Sequence, residues 1–199
     1  GRCVYGVFLN EKGHVIDDAI VYKIGDQNFL TVVNAAMGGE IADHLKKHAG
    51  GNGVEVEDLT DKVGKMDVQG PLAAKVMKKV LADPEKVFEK MLYFSFKGHF
   101  DRAEKTSEDV RLRDGTPILL SRSGYTGEFG FEMFIAPDRF VSLWETILEA
   151  GKESGAIPCG LAARDSLRVV AVLPLLYEVI GSWPFVYNPW SFTLPYNAD

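Results

Sequence analysis

Alternation of apolar and polar residues at the start of the chain predicts three β-strands. They cover residues 4–9, 14–24 and 29–33, which are rich in β-branched and aromatic side chains. The sequences Asn-Glu-Lys-Gly and Gly-Asp-Gln-Asn between them carry turn residues, so we expect an antiparallel meander. In the second strand, period-two alternation puts Asp17 and Asp18 on opposite faces. Because both faces are largely apolar, at least one of these aspartates is expected to be shielded from water.

Beyond residue 36 the apolar spacing changes to that of helices. We predict one helix that stops at Gly50 and another that opens at Gly70 and stops before Asp83. The apolar positions at helical spacing are Met37, Ile41, Leu45, Leu72, Val76 and Val80. Residues 54–56 and 66–69 are candidate strands between the two helices.

The second half of the chain carries a predicted β-hairpin and two further helices. Residues 117–121 and 128–135 have strand composition, and the glycine-rich turn that begins at Ser123 joins them. One helix is predicted over residues 137–151 and a last one over residues 161–171. The residues that the first of these helices is expected to bury are Phe140, Trp144, Ile147 and Leu148. Antiparallel sheets flanked by helices, without strict βαβ alternation, predict the α+β class.

Composition and charge narrow the classes of function. The 199 residues are 46% hydrophobic and 25% charged, which is ordinary for a globular protein of one domain or two small ones. The net charge of -6 gives no overall attraction to nucleic acid, and no apolar run reaches the roughly 20 residues that span a membrane. We therefore expect no nucleic-acid partner and no membrane. Cys3 and Cys159 form no CxxC motif, which indicates a reduced, intracellular compartment.

Two carboxylates are candidates for chemistry. Asp17 on an apolar strand face can have its pKa raised by desolvation and can lie against a reacting nitrogen; alternatively, it binds backbone amides at a strand end. Glu132 offers two acceptor oxygens in a plane, which suits a ring edge with adjacent N–H donors. An ordinary cross-strand pair between Glu132 and a lysine is the alternative.

Three further sets of side chains have two interpretations each. Arg164 and Arg168 share one helical face and could grip a substrate carboxylate, although Asp165 could instead pair with Arg168. The i, i+4, i+8 spacing of Glu40, His44 and His48 could hold zinc, but a general base and a further ligand are missing, so a solvated face is favoured and no metal is predicted. The aromatic residues of the tail could stack on a flat ligand or pack against another domain; these are Trp183, Phe185, Tyr187 and Trp190.

Five ordered segments resemble the aminomethyltransferase family, the T-protein of the glycine cleavage system. The segments are residues 9–22, 31–35, 68–71, 123–132 and 159–168. The resemblance implies a tetrahydrofolate in the central cavity of a three-domain cloverleaf. It implies that Asp17 lies near the nucleophilic ring nitrogen, that Glu132 binds the pterin edge and that Arg164 approaches the glutamyl end. By the same resemblance Tyr5 and Tyr125 line the cavity.

The resemblance also implies a division of the chain. Residues 1–100 would be a folate-binding region that is incomplete at its N-terminus, and residues 101–180 a hairpin and helix region that completes the site. Residues 181–199 would link to a C-terminal barrel that this T-protein fold lacks here. Because only the middle of a full-length member is matched, the isolated 199 residues are not expected to suffice for activity.

The function that the resemblance implies is transfer of a methylene from the lipoyl arm of H-protein to tetrahydrofolate in the cytoplasm, or in the mitochondrial matrix of a eukaryote. Two alternatives stay open. A folate-dependent demethylase would take a small S-, O- or N-methyl donor, and the departure from the family pattern after Arg168 leaves the donor undecided. A non-catalytic folate-binding protein for iron–sulfur assembly would carry Lys-Gly-Cys-Tyr-x-Gly-Gln-Glu, whereas this chain has Ser-Gly-Tyr-Thr-Gly-Glu from Ser123.

Overall fold

The computed structural model describes residues 1–51, 53–101, 108–176 and 180–181. Two compact units are present. Of the described residues, the meander unit comprises Cys3–Thr60 and those from Pro174 onward, and the hairpin unit comprises Gly1–Arg2 and Asp61–Leu173. The aromatic tail from Trp183 lies outside the described residues, as does nearly all of the predicted linker.

The meander unit has the predicted antiparallel topology. Its sheet has the order β1-β2-β3, with β1 at Cys3–Leu9, β2 at Val15–Lys23 and β3 at Phe29–Val32. Helix α1 follows at Gly38–Ala49 and ends at Gly50, whose left-handed φ of 58° closes the last turn. The meander and this helix confirm the predictions from the sequence.

The predicted strand at residues 54–56 is wrong. Residues 54–59 have no regular secondary structure, and the side chain of Val54 is exposed. The local sequence Val-Glu-Val-Glu has the alternation of a strand, but a strand is stabilised by pairing, and this segment pairs with no described strand.

The hairpin unit contains a second antiparallel sheet with the order β4-β7-β6-β5. Its strands are β4 Gly64–Gln69, β5 Phe96–Gly98, β6 Leu119–Ser121 and β7 Gly130–Ile135. Its helices are α2 Ala73–Val80, α3 Pro84–Phe88, α4 Phe140–Gly151 and α5 Leu161–Val170. The hairpin and helices α2, α4 and α5 confirm the predictions, whereas the short elements α3 and β5 were not predicted.

The core of the hairpin unit lies between one face of its sheet and helices α2 and α4. Its buried side chains include Val76, Val80, Met133, Ile135, Leu143 and Ile147. The prediction that Trp144 is buried is wrong, because this residue is 41% exposed. A 3-10 turn at Pro137–Arg139 precedes α4, and Phe140, Leu143 and Ile147 are the residues of this helix that pack in or against the core.

The two compact units do not follow the predicted division at residue 100. Strand β4 pairs with β7, and β5 pairs with β6, so residues 64–98 belong to the same sheet as residues 119–135. The predicted regions 1–100 and 101–180 were defined by contributions to a ligand site, and that division stays a prediction.

Candidate functional site

Asp17 is fully buried in the middle strand of the meander. Its carboxylate accepts two hydrogen bonds from Asn34, one from the backbone N–H at 3.1 Å and one from the side-chain amide at 2.7 Å. The same amide donates to the carboxylate of Asp18 at 2.6 Å, and the hydroxyl of Tyr5 donates to the other Asp18 oxygen at 3.0 Å. The prediction of a shielded aspartate is confirmed, and a bond to a backbone amide, the alternative interpretation, is present.

Burial raises the pKa of Asp17 above its ordinary value, against the hydrogen bonds from Asn34, which lower it. Asn34 brings no positive charge, so the negative charge of an ionised Asp17 is only partly compensated. Asn34 was not predicted as a site residue. Its position two residues after β3 was a usable signal, because antiparallel pairing of β2 with β3 returns the chain toward Asp17.

Glu132 lies in a polar row that crosses the sheet of the hairpin unit. In register, Asp67 on β4 and Ser121 on β6 are its direct cross-strand partners. This row is on the face opposite the core residues Met66 and Met133, which pair at the next position. A buried carboxylate therefore sits in the centre of the sheet, with polar neighbours on both sides.

Both oxygens of Glu132 have donors. Lys65 Nζ is 2.6 Å from Oε1, and the Ser123 hydroxyl donates to Oε2. Ser123 in turn lies 2.7 Å from the hydroxyl of Ser121. The cross-strand lysine that was the alternative interpretation is thus present, and binding of a pterin edge by Glu132 stays a prediction.

Lys65 also contacts Asp67, with Nζ 2.7 Å from Oδ1. Burial opposes its charge, but the carboxylates of Glu132 and Asp67 raise the pKa of Lys65 above the ordinary value. Burial and the charge of Glu132 raise the pKa of Asp67, against Lys65 and Arg164, which lower it. Two carboxylates directly opposite each other would repel, so one shared ammonium stabilises this part of the sheet.

Gln69 continues the polar face of β4 and explains two glycines of the hairpin. Its amide nitrogen donates to the carbonyls of Ser123 and Phe131, each at 3.1 Å. A Cβ at Gly124 or at Gly130 would overlap the Gln69 side chain. Lys65, Asp67 and Gln69 were not predicted, although their period-two spacing in β4 was a signal for a shared face.

The two arginines of α5 have different environments. Arg168 is buried, and it donates to Asp165 at 2.7 Å and to the carbonyl of Leu173 at 3.3 Å, so it forms the structural ion pair of the alternative interpretation. Arg164 is exposed, with its guanidinium carbon 5.3 Å from the centroid of the Tyr125 ring. This cation–π contact brings together two of the predicted ligand residues.

The histidines that were considered as zinc ligands lie on helix α1. His44 and His48 are adjacent on α1, with ring centroids 4.5 Å apart in an edge-on arrangement. Within the described ranges no group of three or more His, Cys, Asp or Glu side chains could hold a metal ion. In the same part of the chain no helix is long and apolar enough to cross a membrane.

The fold and the polar row define an α+β protein with a buried carboxylate site on one sheet and a buried aspartate on the other. A family model, the GCVT N-terminal domain, matches residues 1–178. The chain belongs to this family, and its fold is that of the T-protein, as the sequence resemblance predicted.

Named relatives agree with this assignment. Aminomethyltransferases of Geobacillus sp. (strain WCH70) and Anoxybacillus flavithermus are 39% and 40% identical over 175 residues, which are 88% of this chain and 44% of theirs. The crystal structure of glycine cleavage system aminomethyltransferase T from Bartonella henselae matches with a TM-score of 0.68 and 30% identity. That match covers 88% of this chain and 42% of the Bartonella chain. The chain therefore spans less than half the length of the relatives that it matches.

The packing of Gln69 against the hairpin can be tested at Gly124. We expect Gly124→Ala to lower the free energy of unfolding by about 1–3 kcal/mol, because the new methyl group overlaps the Gln69 side chain. In a Gln69→Ala background the same change is expected to cost less than about 0.5 kcal/mol. Urea unfolding of the four variants measures this coupling. Gly39→Ala, where a Cβ meets nothing, is the control; equal costs in both backgrounds would contradict the packing role.

The raised pKa of Asp17 predicts a pH dependence of stability. A carboxyl with a higher pKa in the folded state stabilises the protein below its unfolded pKa of about 4, and this contribution is lost as the pH rises through the folded pKa. Asp17→Asn does not titrate. We therefore expect its free energy of unfolding, relative to the wild type, to increase between about pH 3 and pH 7. Urea unfolding across this pH range measures the free energy of unfolding, with Asp43→Asn at an exposed position as the control. If the free energies of wild type and Asp17→Asn change with pH in parallel, the raised pKa of Asp17 is refuted.

Proposed function

We propose that the protein is a tetrahydrofolate-dependent aminomethyltransferase of the glycine cleavage system. It transfers the methylene of an aminomethyl group on the lipoyl arm of H-protein to tetrahydrofolate, with release of ammonia and of the lipoyl thiol. Membership of the GCVT family and the names of the relatives support this proposal. The structural observation that carries it is the buried carboxylate of Glu132, held in a fixed orientation by two donors on different elements.

Glu132 has the chemistry that a pterin edge requires. The ring presents adjacent N–H donors, and an ionised carboxylate is an acceptor with two oxygens in one plane. Lys65 and Ser123 fix the carboxylate plane, so less rotational freedom is lost when a ligand binds. These residues fit the pterin, and tetrahydrofolate would supply the nucleophilic nitrogens that accept the methylene.

The other site residues take roles that match their environments. Arg164, which is exposed and stacked on Tyr125, binds a carboxylate of the glutamyl end. Asp17 positions the ring nitrogen, and its raised pKa makes its carboxylate a better proton acceptor than an ordinary aspartate. Tyr5, whose hydroxyl is fixed by Asp18, lines the cavity. Residues 1–100 and 101–180 contribute the two parts of the folate site.

This function implies specific partners and a compartment. Folate is the small-molecule partner and lipoyl-bearing H-protein the macromolecular one, whereas nucleic acid and membranes have no role. The cytoplasm is the compartment, or the mitochondrial matrix in a eukaryotic source. Because tetrahydrofolate is itself the nucleophile in the methylene transfer, the protein contributes mainly the positioning of the reactants and electrostatic stabilisation.

Folate binding is tested at Glu132. We expect Glu132→Gln to raise the Kd of tetrahydrofolate at least about tenfold, because an amide NH₂ then faces the N–H donors of the pterin and loses the Lys65 ion pair. Anaerobic calorimetric titration of the full chain measures the Kd. Glu128→Gln, on the exposed turn of the same hairpin, is the matched control. Equal affinity of Glu132→Gln and wild type would reject the binding of the pterin edge by Glu132, and no binding by the wild type would reject the proposed function.

The reaction is tested with the full-length protein and two classes of donor. We expect Asp17→Asn to retain tetrahydrofolate binding and to lower transfer from aminomethylated H-protein by about 10²-fold or more, because the carboxylate acts on the reacting nitrogen. Turnover is measured with aminomethylated H-protein and, in parallel, with a panel of small S-, O- and N-methyl compounds. Unchanged turnover would exclude Asp17, and product from the small donors alone would replace the aminomethyltransferase by a demethylase.

A further inference from the structure

The carboxylate next to Glu132 is the more accessible member of the pair. The side chain of Asp67 is 28% exposed, whereas that of Glu132 is 7% exposed. The two residues are directly opposite each other on neighbouring strands, and both lie within 2.7 Å of one ammonium nitrogen, Lys65 Nζ. A ligand that approaches Glu132 from solvent therefore meets Asp67 on the same face of the sheet.

Negative and positive side chains alternate from Glu132 to Arg164, the residues predicted to bind the pterin edge and the glutamyl end of the ligand. Glu132 pairs with Lys65, Lys65 pairs with Asp67, and Arg164 lies close enough to Asp67 to favour its charged form. The four formal charges sum to zero. This part of the face favours a neutral edge rich in N–H donors over an anion, because two carboxylates are available and the ammonium is already held by both.

We propose that Lys65 and Asp67 complete the ligand-binding unit around Glu132, with Asp67 as a second acceptor for the N–H edge of the pterin and Lys65 as the residue that positions both carboxylates. This inference rests on the proposed function and assigns it two specificity-determining residues. Lys65 is a positioning residue, because it acts on the ligand through the two carboxylates.

Glu132 and Asp67 have different roles in this proposal because they are held by different contacts. Glu132 is fixed from two sides, by Lys65 and by Ser123, so it sets the orientation of the first ligand donor. Asp67 is held by Lys65 and remains more than a quarter exposed, which leaves it room to adjust to a second donor. Without Lys65, two carboxylates would stand opposite each other with no cation between them, and Asp67, whose pKa Lys65 lowers, would hold its proton to a higher pH. A protonated carboxyl then competes with the ligand donors for the remaining oxygens.

The test measures tetrahydrofolate affinity of four variants between pH 6 and pH 8. Asp67→Asn is expected to raise the Kd about threefold to tenfold at every pH, and Lys65→Arg to bind like the wild type. Lys65→Met is expected to lose affinity progressively as the pH falls, so that its Kd relative to wild type grows at least about fivefold between pH 8 and pH 6. Lys79→Met, which removes the surface pair with Glu153, is the control and is expected to change neither the affinity nor its pH profile.

A second measurement needs no ligand. Carbon-13 NMR of the side-chain carboxyls is expected to show a titration step of Asp67 that moves to higher pH in Lys65→Met and returns toward the wild-type position in Lys65→Arg. Circular dichroism at each pH verifies that the variants are folded. A wild-type affinity in Asp67→Asn, or an unmoved titration step in a folded Lys65→Met, would overturn the inference. If the wild type does not bind tetrahydrofolate, the proposed function fails by itself, and the NMR result still decides whether Lys65 positions the pair.

Discussion

A carboxylate buried in an antiparallel sheet needs donors, and the local strand cannot supply them. In the hairpin unit the donors to Glu132 are Lys65, which lies on β4, and Ser123, which lies in the chain after β6. The order β4-β7-β6 places these two donors on either side of β7. The strand order and the register bring Lys65, Asp67 and Glu132 together, and without the positive charge of Lys65 the burial of this carboxylate would be costly.

The same constraint accounts for the glycines of the hairpin. Their role extends beyond the turn, because Gln69 reaches across β7 to the Ser123 carbonyl, and Gly124 and Gly130 leave the space that its side chain occupies. A side chain at either position would overlap Gln69, whose amide donates to the Ser123 carbonyl. The glycine motif is therefore a packing motif that supports the donor of the buried carboxylate.

The sequence pattern predicted features that depend on residues close together in the chain. It missed contacts between residues that are far apart in the chain. The shielding of Asp17 followed from apolar residues on both sides of it in β2, and it is confirmed. The pairing of Glu132 with Lys65 joins residues 67 positions apart through the contact of β4 with β7, which no local pattern encodes. The burial of Trp144 was wrongly predicted because positions 143 and 144 both fit the helical spacing from Phe140 and Ile147, and it is Leu143 that packs in the core.

The two buried carboxylates receive different compensation, and this difference bears on what each can do. Asn34 gives Asp17 hydrogen bonds without positive charge, so burial dominates and the pKa is raised. Lys65 gives Glu132 a full positive charge at 2.6 Å. A group compensated by neutral donors exchanges a proton at modest cost, whereas a group paired with an ammonium serves as a fixed acceptor. The different roles proposed for Asp17 and Glu132 thus correspond to the different side chains, Asn34 and Lys65, that compensate them.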